Sequence, residues 1–170
     1  MSNVENIGRW VPSRNRWFIL SPMVIGAFLF MLNETIANVA LPYMAGSFSI
    51  SHDESIWILT SYLVSSSIFI SSVDFFSKLM GRKNFIILCM LIFTLSSFLC
   101  GIANSVGMMV LSRIIQGIGG GPLFPITQSI ILELFEEKER AVPVALFGFV
   151  VVLAPILGPV LGGWLTLNWS

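Results

Sequence analysis

A single arginine inside a long apolar run limits what this chain can become. Val106–Leu134 reads VGMMVLSRIIQGIGGGPLFPITQSIILEL, about thirty residues long, with one basic residue, Arg113, in its outer half. A cation within a membrane span is expensive, and it points to a bundle interior, a cavity or a partner. Gly117, Gly119, Gly120 and Gly121 follow, ahead of Pro122. Glycines this dense weaken a helix in water. In lipid they let a second backbone come close. The run therefore predicts a polytopic membrane protein with a polar interior. Composition agrees: the chain is 55% hydrophobic and 11% charged, against roughly 25% charged in soluble domains.

Five apolar runs each reach or approach the ~20 residues that cross a bilayer. They lie at about 17–43, 56–76, 85–101, 106–134 and 142–167, after a polar tail at 1–16. The first is too long for a signal-peptide core and is expected to be retained. Eight of the nine basic residues fall in the tail (Arg9, Arg14, Arg16), the second-to-third connection (Lys78, Arg82, Lys83) and the fourth-to-fifth connection (Lys138, Arg140); the ninth is Arg113. The other two connections have none, which places the N-terminus in the cytoplasm. The expected fold is an all-α integral membrane domain of five spans, multi-pass in the cell membrane.

Polar groups inside the spans are the candidate site. Glu34, in the outer half of span one, lies at a depth similar to that of Arg113. An interaction between them, direct or through water, would lower the cost of both charges; it is either a structural ion pair or part of a transport pathway. Asn33 and Glu34 are about 100° apart on the helix, so Asn33 shares a face with Phe30 and Ala37, and Glu34 with Asn38. Span two carries Thr60, Ser61, Ser65, Ser66, Ser67, Ser71 and Ser72. Small residues hydrogen-bonding between helices are the favoured reading there, with a cavity lining as the other. In span five, Ala154, Gly158 and Gly162 form a small-residue stripe beside Pro155 and Pro159, a packing surface that bends. The cysteines, Cys89 and Cys100, fit no metal or redox spacing. One histidine, His52, beside Asp53 and Glu54 in a polar loop, cannot build a metal site. No Ser/His/Asp set, HExxH, GxSxG or phosphate loop is present, so enzyme chemistry is not expected.

Together these stretches resemble the N-terminal half of a major facilitator superfamily transporter, and within it the fourteen-helix drug:proton antiporters. Leu32–Pro42 (LNETIANVALP) resembles the first-span motif LDxTIVNVALP. Gly81-Arg82-Lys83 resembles the end of the loop motif GxLADRxGRK, where Asp74 stands for the first glycine, Lys78 for the acidic residue and Leu79 for the following arginine. Arg113–Gly119 matches RxxQGxG. Ala154 with Gly158-Pro159-Val160-Leu161-Gly162-Gly163 resembles the antiporter motif GxxxGPxxGG. The family's first-span carboxylate falls on Asn33, which carries no proton, so Glu34 is the expected proton carrier. Arg113 is expected to tune it, with Asn38 and Gln116 supplying hydrogen bonds.

The resemblance implies export of drugs or other amphipathic molecules by rocking of two halves, with spans one and four lining the cavity and spans two and five facing the other half. It implies a cytoplasmic gate at the loop motif. No cofactor is expected, a proton gradient being the energy source. The implied partners are the bilayer, a small-molecule substrate and a missing C-terminal half or second chain, with no nucleic acid. Family members carry twelve or fourteen spans, and five here imply a truncated product, a fragment or one part of a split transporter. The competing reading is a five-span remnant or scaffold that transports nothing. Within transport, the rival to export is uptake.

Overall fold

The computed structural model describes residues 16–169; the tail at 1–15, including Arg9 and Arg14, lies outside the described residues. All regular structure in this range is helical: α1 (Arg16–Ser47), α2 (His52–Ser71), α3 (Val73–Met80), α4 (Arg82–Gly101), α5 (Val106–Gly120), α6 (Leu123–Leu134) and α7 (Ala141–Trp169). Helices satisfy their backbone groups internally, as a hydrocarbon environment requires. Three of them, α1, α4 and α7, are long and apolar enough to cross a membrane alone.

The other two runs are each divided. The second becomes α2 and α3, meeting at 59° around Ser72, whose backbone stays right-handed helical. The fourth divides at Gly121-Pro122, where both residues also keep helical dihedrals. Gly121 still donates to the Gly117 carbonyl at 2.9 Å. Pro122 has no N–H to donate, and the ladder resumes when Ile126 bonds the Pro122 carbonyl at 3.2 Å.

The second span begins earlier than its apolar pattern because Ser51 caps it. Its hydroxyl accepts from the Glu54 N–H at 3.2 Å, and the Glu54 carboxylate accepts from the Ser51 N–H at 3.0 Å. This reciprocal arrangement satisfies two otherwise orphaned donors. His52 and Asp53 are therefore exposed first-turn residues of α2. Hydrogen bonds from the backbone and hydroxyl of Ser51 hold the Glu54 carboxyl below its ordinary value. A carboxyl lowered on folding stabilises the fold above its unfolded value, and that contribution is lost as the pH falls through the lowered one. Amide exchange in the first turn of α2 is expected to accelerate in acid. Glu54→Gln should already show the faster exchange at neutral pH and little further change on acidification.

Helix α5 sits between α2 and α4, while α1 packs on α7, α6 and α2. The glycines explain how closely. A Cβ on Gly117 would lie 2.0 Å from Ser65 Oγ and 2.7 Å from the Tyr62 carbonyl of α2; on Gly121, 2.7 Å from the Ser66 carbonyl. On Gly119 it would meet the α4 backbone, 2.6 Å from Phe93 N, and on Gly120 the Phe30 ring of α1 at 2.7 Å. Four small residues thus receive three helices. Two threonines add polar links: Thr127 Oγ1 donates to the Met23 carbonyl at 3.4 Å, and Thr35 Oγ1 to the Ala154 carbonyl at 3.5 Å.

The larger apolar cluster joins Leu20, Phe30, Phe85, Phe93, Leu123 and Ile131; a smaller one, around Leu41, Ile58 and Met109, lies toward the other end. Outward faces are apolar as well. Leu91, Leu95 and Phe98 of α4 and Phe149, Val152 and Ile156 of α7 are exposed, as suits helices whose solvent is lipid.

Candidate functional site

Arg113 lies on the inner face of α5, only 4% exposed. Its Nη1 donates to Gln116 Oε1 at 3.0 Å, and Gln116 Nε2 donates to Ser97 Oγ on α4 at 2.7 Å. This relay ties the cation to α4. On its other side the guanidinium carbon stands 5.9 Å from the centre of the Tyr62 ring of α2, within reach of the attraction between a cation and an aromatic face.

Glu34, Ala37, Asn38, Leu59, Tyr62, Leu63 and Arg113 line one cleft of about 20 Å³ between α1, α2 and α5, room for a single water. Glu34 and Asn38 thus share it with Arg113, as their common helical face suggests. Of the two forms expected for a Glu34–Arg113 interaction, direct or through water, the direct ion pair is not formed: the ion pairs among the described residues are Arg16–Glu139 and Arg82–Glu133. Asn33 is not among the residues that line this cleft, although its side chain lies beside Tyr62. Three polar atoms here are buried without a partner: Asn33 Nδ2, Tyr62 Oη and Arg113 Nε.

One sequence expectation changes. The span-two hydroxyls do not bond across helices. Ser61, Ser65, Ser66 and Ser67 each donate to a carbonyl three or four residues back in α2. A serine short of outside acceptors turns back on its own helix, and its contribution to packing is smallness. The span-five stripe is a packing surface within this bundle. Ala154, Gly158 and Gly162 are buried, and a Cβ on Gly158 would lie 1.9 Å from Thr35 Oγ1. This stripe receives α1, whereas Pro159 is exposed and Gly163 has open space beside it.

The loop motif splits similarly. Gly81 joins α3 to α4 at φ +78°, a conformation that suits glycine. Arg82 pairs with Glu133 of α6 and donates to Ser129 at 3.4 Å. Asp74 and Arg82 line a cavity of about 150 Å³, while Lys78 and Lys83 are exposed. Nearby, Arg16 bonds Glu139 at 2.6 Å, and Arg140 donates to the Leu132 and Phe135 carbonyls that end α6. These basic residues gather at one end of the bundle. Tyr62, Ser97, Ser129 and Glu133 were not singled out by the sequence. The only available signal was Tyr62 as the one large polar ring within a serine-rich span.

The bundle, its glycine contacts and its buried cation define a helical membrane domain with a polar interior, and the chain belongs to the Major Facilitator Superfamily, whose sequence profile matches residues 23–170. It is 36% identical over 153 residues to the fatty acid resistance protein FarB of Neisseria gonorrhoeae, covering 90% of this chain and 30% of that protein. It is 36% identical over 144 residues to the multidrug export protein EmrB of Haemophilus influenzae, covering 85% of this chain and 28% of the relative. The chain thus spans under a third of the length of these relatives. Its fold is similar to a bacterial homologue of the human lysosomal transporter Spinster, in an inward-facing, unoccupied conformation, with TM-score 0.77 and 22% identity, over 90% of this chain and 32% of that one.

Proposed function

We propose that this chain is the N-terminal part of a proton-coupled exporter of drugs or other amphipathic small molecules in the cell membrane, the bacterial inner membrane being the expected site. The observation that carries this reading is the cleft where Glu34 and Arg113 lie together inside a helical bundle. An ionisable carboxylate beside a buried cation is a combination that marks ion and substrate pathways. The family supports transport, and relatives named for multidrug export and fatty acid resistance support export of amphipathic compounds. Glu34 carries the proton, Arg113 sets its electrostatic environment, and Asn38 and Gln116 supply hydrogen bonds. The energy comes from the proton gradient, without a cofactor. The pathway is completed by further spans, in the same protein or in a second chain, rocking against this bundle.

Inverted membrane vesicles containing the complete transporter test the reading. An amphipathic fluorescent dye should accumulate inside them when their interior is made acidic, and the accumulation should vanish when the proton gradient is collapsed. Accumulation that survives collapse would exclude proton coupling, and none above empty-vector vesicles would count against export of that class.

A further inference from the structure

Tyr62 belongs to none of the four motifs, yet it lines the cleft with Glu34 and Arg113. It is 2% exposed, and its hydroxyl has no hydrogen-bond partner. A buried hydroxyl without a partner is unfavourable, and so is an unpartnered guanidinium N–H such as Arg113 Nε. Both groups are donors, and both residues line the cleft that Glu34 also lines. Two residues with an unpartnered donor thus share one small cleft with a carboxylate. A carboxylate accepts several hydrogen bonds at once, and charge-assisted bonds are the stronger kind.

We infer that Tyr62 is a positioning residue for Glu34: its hydroxyl, together with Arg113 Nε–H, receives the ionised carboxylate, and binding of a proton to Glu34 releases it. The inference rests on the reading of Glu34 as the proton carrier. Protonation removes the charge and leaves a group that no longer holds two donors strongly, so the side chain is free to leave the cleft. The donors are then unpaired. The groups facing Glu34 are few. Tyr62 comes from α2 and Arg113 from α5. Helix α7 packs against the neighbouring Thr35 with Ala154 and Gly158, neither of which titrates. Cys100 of α4 reaches Gln116 rather than the cleft. Asn33, beside Tyr62, is the competing partner for its hydroxyl.

Raman spectroscopy reads the hydrogen-bond state of a tyrosine hydroxyl through the intensity ratio of its ring doublet. The ratio falls as the hydroxyl becomes a stronger donor. The chain has two tyrosines, Tyr43 and Tyr62, so a Tyr43→Phe background isolates the signal in lipid nanodiscs. The ratio should fall as the pH rises and Glu34 ionises. In Glu34→Gln it should stay constant across the same range, and in Asn33→Leu the fall should persist. Helix content by circular dichroism confirms that each variant is folded. A ratio independent of pH in the parent, or an equal fall in Glu34→Gln, overturns the inference. Loss of the fall in Asn33→Leu also overturns it, because Asn33 would then be the group that Tyr62 serves. The parent measurement decides even if a variant fails to fold. Failure of gradient-driven dye accumulation would refute the export reading while leaving this signature in place.

Discussion

Gly117→Val should leave almost no folded protein. The added Cβ alone would sit 2.7 Å from the Tyr62 carbonyl and 3.0 Å from Ser66 N, and neither backbone atom can turn aside as a side chain can. Overpacking of this kind costs about 1–3 kcal/mol and occasionally more. Here it would separate α5 from α2, and in lipid no hydrophobic force between the helices offsets lost packing. Size-exclusion chromatography after detergent extraction reads the result: the variant should run as aggregate where the parent is monodisperse. Gly107→Ala is the matched control, because nothing lies within 4 Å of its Cβ position. Adding Ser65→Gly to Gly117→Ala should restore only part of the stability, since it removes the 2.0 Å contact with Ser65 Oγ but leaves the one with the Tyr62 carbonyl. A monodisperse Gly117→Val protein with parental thermal stability would mean that α2 and α5 do not meet here.

Arg113→Met should separate stability from transport. The guanidinium is buried, its Nε is unpartnered, and no carboxylate lies within ion-pair distance. Replacing even a buried ion pair with apolar groups of similar volume is often neutral or stabilising, by about 1–4 kcal/mol, and Arg113 has no ion-pair partner to lose among the described residues. The Met variant should therefore unfold at an equal or higher temperature than the parent. In the complete transporter its gradient-driven dye accumulation should fall at least about tenfold, equivalent to about 1.4 kcal/mol in the barrier of the coupled step. The two readouts together decide. A large loss of stability would make Arg113 a structural fixture held by Gln116 and Tyr62. Unchanged transport would remove it from the pathway.

Helical periodicity made part of the site legible. Glu34 and Asn38 fall on one face and do line one cleft, and Arg113, as a cation in an apolar run, announced an interior. The glycines of α5 announced close approach, and the approach is there. Periodicity tells which face a residue occupies but not which helix meets that face. That is why the Ala154–Gly158–Gly162 stripe could be read as a packing surface without naming α1 as the helix it receives. The partners of Arg82 were hidden for the same reason: Glu133 lies 51 positions away in sequence. The serines of α2 misled differently. A hydroxyl can bond across a helix interface or back to its own turn, and composition does not distinguish the two. The bend at Ser72 carries no proline or glycine to mark it. Tyr62 was hidden because a tyrosine within a span is ordinary until its neighbours are known.

Glu34 is proposed to couple proton movement to export, and Glu34→Gln in the complete transporter tests this most directly. The protein would be reconstituted in proteoliposomes with a pH-sensitive dye inside, and proton flux followed when an amphipathic substrate is added. Glutamine keeps the shape and polarity of the side chain and removes only its ability to exchange a proton. Substrate-driven proton flux should disappear in this variant while thermal stability matches the parent. Parental proton flux in Glu34→Gln would contradict it and place the coupling group elsewhere in the protein.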